Sequence, residues 1–219
     1  MTIVTPYLLQ VTSVPIWRRP LPYTQNNMTF IIIGINMMVF FLTSMNSQLA
    51  TYIAMNPILT VARGFWWQPF TYMFAHSGIS HLLFNMLGLF FFGTQVEHEL
   101  GSWEFLLFYM LTGILAGFFS LAVYWYTGTY MVFLLGASGA VFAVLLAFAT
   151  IYPNAQVYVF GLIPMRAAVL VTLYTFIEIF SQIRGGSNVA HMTHLAGFGF
   201  AYLYFLLRVG VNPGKRFFR

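Results

Sequence analysis

Gly136-Ala137-Ser138-Gly139 runs directly into Ala140-Val141-Phe142-Ala143-Val144-Leu145-Leu146-Ala147-Phe148-Ala149, an apolar stretch without a charge. A serine therefore stands at the mouth of a hydrophobic helix, with glycines at 136 and 139. Glycine has no Cβ, so another group can approach the hydroxyl closely. A serine hydroxyl alone is a weak nucleophile. It needs a base within hydrogen-bond reach and donors for the oxyanion that forms. Gly-Ala-Ser-Gly also reads as a small-residue seam for helix packing. The choice between the two readings depends on which other polar residues share the depth of Ser138.

Composition sets the surroundings. The chain has 219 residues, of which 60% are hydrophobic and 6% charged. A soluble domain carries roughly 25% charged residues, so the sequence reads as an all-α polytopic membrane protein. There is no cysteine and no aspartate, and four glutamates supply all the acidic groups. A thiol nucleophile is therefore excluded. The net charge of +5 is spread over tails and loops rather than gathered beside stacking aromatics. That excludes a nucleic-acid partner and fits charges that orient a chain in a bilayer.

Six apolar segments approach the ~20 residues that a span needs. They are expected at about Met28–Ser44, Ser80–Val96, Trp103–Tyr126, Ala137–Tyr152, Arg166–Ile183 and Val189–Val209. The first follows a polar leader with no cleavage pattern and reads as a retained span, with Asn26 and Asn27 as candidate caps. Asn36 within it is expected to bond to another helix. The first loop runs roughly 35 residues, far beyond the usual length. Its Phe65-Trp66-Trp67-Gln68-Pro69-Phe70-Thr71-Tyr72-Met73-Phe74 implies a segment lying in the bilayer interface. Gly113 and Gly117 carry a small-xxx-small spacing suited to close helix contact. The fourth segment would cover roughly 24 Å, less than the ~30 Å apolar core of a bilayer. It is expected at the centre of the bundle with Ser138 recessed, and Pro153 stops it.

Six spans put both termini on one side. That side would hold Arg18, Arg19, Arg166, Arg208, Lys215, Arg216 and Arg219, against Arg63 and Arg184 opposite. The positive-inside rule then makes both termini cytoplasmic. Segments two, four and six all run inward from the outer face. Their first turns carry His81 and Asn85, then Ser138, then His191 and His194. The polar groups suited to chemistry thus coincide at one depth and imply a pocket opening outward. A transport path would instead thread polar groups through the bilayer.

An ionisable group inside a membrane points to function by default. His194 is followed by Gly197 and Ala201, a smooth face that would let the sixth segment press on the fourth and bring the imidazole to Ser138. His81 and Asn85 lie one turn apart on one face and read either as a local pair or as an oxyanion donor set. His76 and His191 read as supporting hydrogen-bonders. The histidines lack a His-Glu-x-x-His helix and any accompanying carboxylate, so no metal is expected. Glu178 sits inside the fifth segment with no cation in view. It stands as a candidate third catalytic member. Glu97, Glu99 and Glu104 fall at inner helix ends, near water, and read as structural.

Taken together these motifs resemble the rhomboid family of intramembrane serine proteases, over about Asn36 to Tyr204. His81-Leu82-Leu83-Phe84-Asn85 resembles the family's His-x-x-x-Asn, and Gly93-x-x-x-Glu97-x-x-x-Gly101 its second-helix signature. Gly136-Ala137-Ser138-Gly139 is similar to its Gly-x-Ser-Gly, and Ala190-His191-Met192-Thr193-His194-Leu195-Ala196-Gly197 to its last-helix histidine motif. The resemblance implies a six-transmembrane bundle of the bacterial form, with residues 1–27 as a cytoplasmic leader, 28–209 as the catalytic domain and 210–219 as a basic tail. It implies Ser138 as nucleophile and His194 as general base, with His81, Asn85 and the Ser138 backbone N–H binding the oxyanion. Phe142 occupies the place of an aromatic that packs on the catalytic ring. Two departures stand out: Gln68 follows Trp67 where many members have arginine, and Ala201 stands where many have glycine. The expected activity is that of a cofactor-free serine endopeptidase cutting transmembrane protein substrates in a bacterial inner membrane. With no aspartate in the chain, a Ser–His dyad is expected, its third role falling to packing or a backbone group. The alternative is an inactive rhomboid-like protein that binds membrane clients. No oligomeric state is implied.

Overall fold

The computed structural model describes residues 15–159, 161–183 and 189–217. Arg184 and Arg219, used in the charge comparison, lie outside them. Among the described residues, three helices are long and apolar enough to cross a membrane: α1, Met28–Met45; α4, Ile79–Leu100; and α5, Ser102–Tyr126. Between α1 and α4 lie the short helices α2, Ser47–Ile53, and α3, Gln68–Thr71. α6 spans Ser138–Ile151, α7 Ala167–Ile183 and α8 Val189–Tyr204, the last running on into a wider turn at Phe205–Val209. α9, Pro213–Phe217, closes the described chain. The protein is mostly helical, with one departure from an all-α fold. Gln156–Val159 (β1) and Ile163–Arg166 (β2) pair antiparallel between α6 and α7.

α6 is the core of the bundle, and nearly every residue from Gly139 to Ile151 is buried. Beyond Ser138 its one polar side chain is Thr150, which donates to Leu146 O at 2.8 Å; the rest of the helix is apolar or glycine and needs no water. α8 crosses α6 at backbone contact. A Cβ at Gly197 would lie 2.1 Å from the Gly139 carbonyl oxygen, and one at Gly139 would lie 3.0 Å from Thr193. Only glycine at 197 allows this backbone approach, and a side chain at 139 would press on Thr193. On α5, Ser120 and Thr193 share a hydroxyl–hydroxyl bond of 2.7 Å to α8.

Several local expectations need correction. Gly113 and Gly117 do not serve helix contact alone. A Cβ at Gly113 would strike Met73, and one at Gly117 would strike Tyr72, so the pair mainly seats the segment after α3. The side chains of Asn26 and Asn27 do not cap α1. The Glu97 carboxylate does, accepting from the Met28 and Thr29 amides at 2.6 and 2.8 Å. A carboxylate at a helix N-terminus satisfies orphan N–H groups and opposes the dipole. Glu97, Glu99 and Glu104 are structural, yet all three are buried rather than at water. Asn36 donates to its own helix, at Ile32 O (2.8 Å), the nearest carbonyl one turn back.

Both described chain ends meet at the end of the bundle away from Ser138. Arg208 donates to Glu104 at 2.5 and 2.7 Å and to the carbonyl oxygens of Trp17 and Arg19. The Leu21 amide donates to Glu104 as well. The segment read as a leader is thus joined to the helices from residue 17 onward. At 1.5 Å per residue, α6 separates this end from Ser138 by roughly 20 Å.

Candidate active site

Ser138 begins α6, where the first N–H groups of the helix have no intrahelical partner. The segment before it is held by the first loop. Met55 and Leu134 exchange backbone bonds of 2.9 and 2.8 Å, Gly136 N–H donates to Tyr72 O, and Asn56 donates to the carbonyls of Tyr130 and Val132. Gln68 in turn fixes Asn56. It is fully buried, accepts from the Asn56 amide and the Thr60 hydroxyl, and donates to Tyr52 O. Gln68 therefore anchors the loop despite departing from the arginine pattern.

The Ser138 hydroxyl lies 2.8 Å from His194 Nε2. The ring of Phe142, one turn along α6, stacks on the His194 imidazole at a 4.1 Å centroid separation and 7° between planes. The hydroxyl, the ring and the aromatic shelf thus come together from two helices.

His81 stands beside Gly136, two residues before Ser138. Gly136 has φ of +112°, and a Cβ there would be 2.6 Å from the His81 ring. Glycine is thus required twice over, for backbone conformation and for space. Ser77 Oγ lies 3.1 Å from His81 Nδ1. Asn85 donates one amide hydrogen to His81 O at 2.8 Å, so His81 and Asn85 form a unit on α4. His76 packs edge-on to His81, with ring centroids 5.1 Å apart. Its Nδ1 lies 3.4 Å from Phe74 O, and its buried Nε2 has no hydrogen-bond partner among the described residues. Burial, with the nearby His81 adding to it, pushes the His76 imidazole down to about 4.

Glu178 is the group sequence reasoning left unplaced. From α7 it reaches both histidines of α8. Oε1 is 3.0 Å from His194 Nδ1 and Oε2 is 2.5 Å from His191 Nδ1. A carboxylate does accompany the histidines, contrary to expectation. The only signal was a lone glutamate in an apolar segment, with two histidines 13 and 16 residues further along the chain. One ligand-type atom from each of Glu178, His191 and His194 lies within 4.8 Å of the others. Nitrogens and oxygens around a tetrahedral zinc ion sit roughly 3.4 Å apart. The shorter separations here are those of ring N–H groups donating to a carboxylate.

Residues 63–210, well over half of the chain, match the Rhomboid domain. The chain belongs to the rhomboid family. Among rhomboid relatives, it is 34% identical over 122 residues to rhomboid protease GluP of Bacillus subtilis, covering 53% of this chain and 23% of that one. It is 33% identical over 146 residues to the putative rhomboid protease YdcA of the same organism, covering 64% and 65%. It is 34% identical over 144 residues to RHOMBOID-like protein 12, mitochondrial, of Arabidopsis thaliana, covering 58% and 42%. The matches span less than two thirds of each relative's length. As a rhomboid with long apolar helices, the chain is an integral membrane protein associated with the lipid bilayer.

Proposed function

We propose that this rhomboid is an intramembrane serine endopeptidase that hydrolyses peptide bonds in transmembrane segments of other proteins, with Ser138 as nucleophile and His194 as general base. The observation that carries the reading is the 2.8 Å approach of Ser138 Oγ to His194 Nε2 across two helices. His194 takes the hydroxyl proton as Ser138 attacks the scissile carbonyl carbon, and the oxyanion forms beside the free N–H groups that open α6. With the Ser77 hydroxyl donating to Nδ1, His81 carries its proton on Nε2 as a further donor, and Asn85 contributes its second amide hydrogen. The imidazolium returns the proton to the leaving amine, and water hydrolyses the acyl-enzyme by the same steps. Gly136, Gly139 and Gly197 allow the close approaches, Phe142 holds the ring, and His76 and His191 brace their neighbours.

In this reading the three long helices and the shorter apolar helices α6, α7 and α8 make six spans, with the first loop in the bilayer interface, both termini cytoplasmic and the serine opening outward. The basic end, with Arg18, Arg19, Arg166 and Arg208, would then face the cytoplasm of a bacterial inner membrane. Substrate must unwind locally at the cut, since a helix hides its carbonyls in its own hydrogen bonds. A fluorophosphonate probe tests the reading. Covalent labelling at Ser138, absent in His194→Ala, is expected. No labelling of the folded wild-type protein contradicts it and favours a client-binding role.

A further inference from the structure

We infer that Glu178 is a positioning residue for His194, making the reaction centre a Ser138–His194–Glu178 relay rather than a dyad. The inference rests on the reading of Ser138 and His194 given above. Neutral imidazole has one N–H and one lone pair, and a base must direct the lone pair at the nucleophile. His194 Nε2 faces Ser138 Oγ at 2.8 Å, so the ring works only when its proton is on Nδ1. Nδ1 meets Glu178 Oε1 at 3.0 Å, an acceptor that selects this tautomer. An orienting carboxylate on the far nitrogen also stabilises the imidazolium formed when the serine proton arrives.

The carboxylate is itself held. Oε2 is taken by His191 Nδ1 at 2.5 Å, so both oxygens have ring partners and neither is free to swing away. The Glu178 side chain is 8% exposed and that of His194 14%, so the pair works where water competes weakly. Phe142 fixes the ring plane, and Glu178 fixes rotation within that plane. A merely structural glutamate tying α7 to α8 would not need to meet the catalytic ring at the nitrogen opposite the serine.

Two experiments test this. The first is steady-state cleavage of a single-span substrate by the full-length protein and its Glu178→Gln and Glu178→Asp variants. Losing the orienting carboxylate from such a relay costs up to about 10⁴ in kcat. Glu178→Gln is expected to lower kcat by roughly 10²–10⁴ with KM within about 2-fold, and Glu178→Asp to recover part of the loss. Wild-type kcat in Glu178→Gln overturns the inference, as does a loss confined to KM. The second needs no substitution at Glu178. Nitrogen-15 NMR of histidine-labelled wild-type protein is expected to find His194 protonated at Nδ1 at neutral pH, the resonance being assigned by its loss in His194→Ala. An Nε2-protonated ring overturns the inference even if Glu178→Gln does not fold. If the wild-type protein shows no Ser138-dependent cleavage, the proteolytic reading fails, while the tautomer still judges the contact to Glu178.

Discussion

Three contacts define His194: a hydroxyl at Nε2, a carboxylate at Nδ1 and an aromatic face against the ring. Ser138 and His194 were legible in the sequence because each is a rare polar group in an apolar helix with small residues beside it. Glu178 was equally rare, yet its role was not legible. Its partners lie 16 and 13 residues away on another helix, and only the rotation of α7 about its own axis decides what it faces. His76 allows a pH prediction at this scale. Its imidazole titrates at about 4 in the folded protein against an ordinary 6.5. Between these values the unfolded chain binds more protons, so this contribution to stability is complete above about pH 6.5. It is lost as pH falls toward 4, and amounts to the order of 3 kcal/mol across the window. Thermal unfolding in detergent is expected to show midpoints falling from pH 7 to pH 4.5, and His76→Gln a visibly shallower fall. Equal slopes in the two proteins contradict this.

Among the elements, the first loop is the one whose purpose the sequence understated. Its aromatic density invited an interfacial reading. Its polar residues in addition build a scaffold under Ser138, from Gln68 to Asn56 to the carbonyls before Gly136. Those partners were not readable, since Asn56 bonds to residues 74 and 76 positions away. The helices were readable because the length of each apolar run sets its bounds to within a few residues. The β1–β2 hairpin was not, being four residues per strand between two stronger helical signals. Asn56→Ala removes two buried donors and leaves two carbonyls unpaired, at about 1–3 kcal/mol for each orphaned group. It is expected to lower the unfolding temperature and to slow fluorophosphonate labelling of Ser138, because the segment entering α6 loosens. Labelling at the wild-type rate would show that the loop does not position the serine.

For the molecule as a whole, the decisive arrangement is a bundle with unlike ends. One end gathers basic groups and both described chain ends around Glu104, and the other gathers Ser138, His194, His81 and Glu178. Part of this was legible in the sequence, since Ser138, His81, His191 and His194 all stand within the first two turns of apolar segments. What joins the ends is α6, apolar but for Ser138 at its start and Thr150 near its end. The central claim is that the Ser138–His194 pair cuts membrane segments. It is tested most directly by incubating the purified protein, in liposomes, with a single-span substrate, and locating any cut by mass spectrometry. The account predicts a product cut within or beside the span for the wild-type protein, and none for Ser138→Ala or His194→Ala. Equal cleavage by the wild-type protein and by folded Ser138→Ala would contradict it.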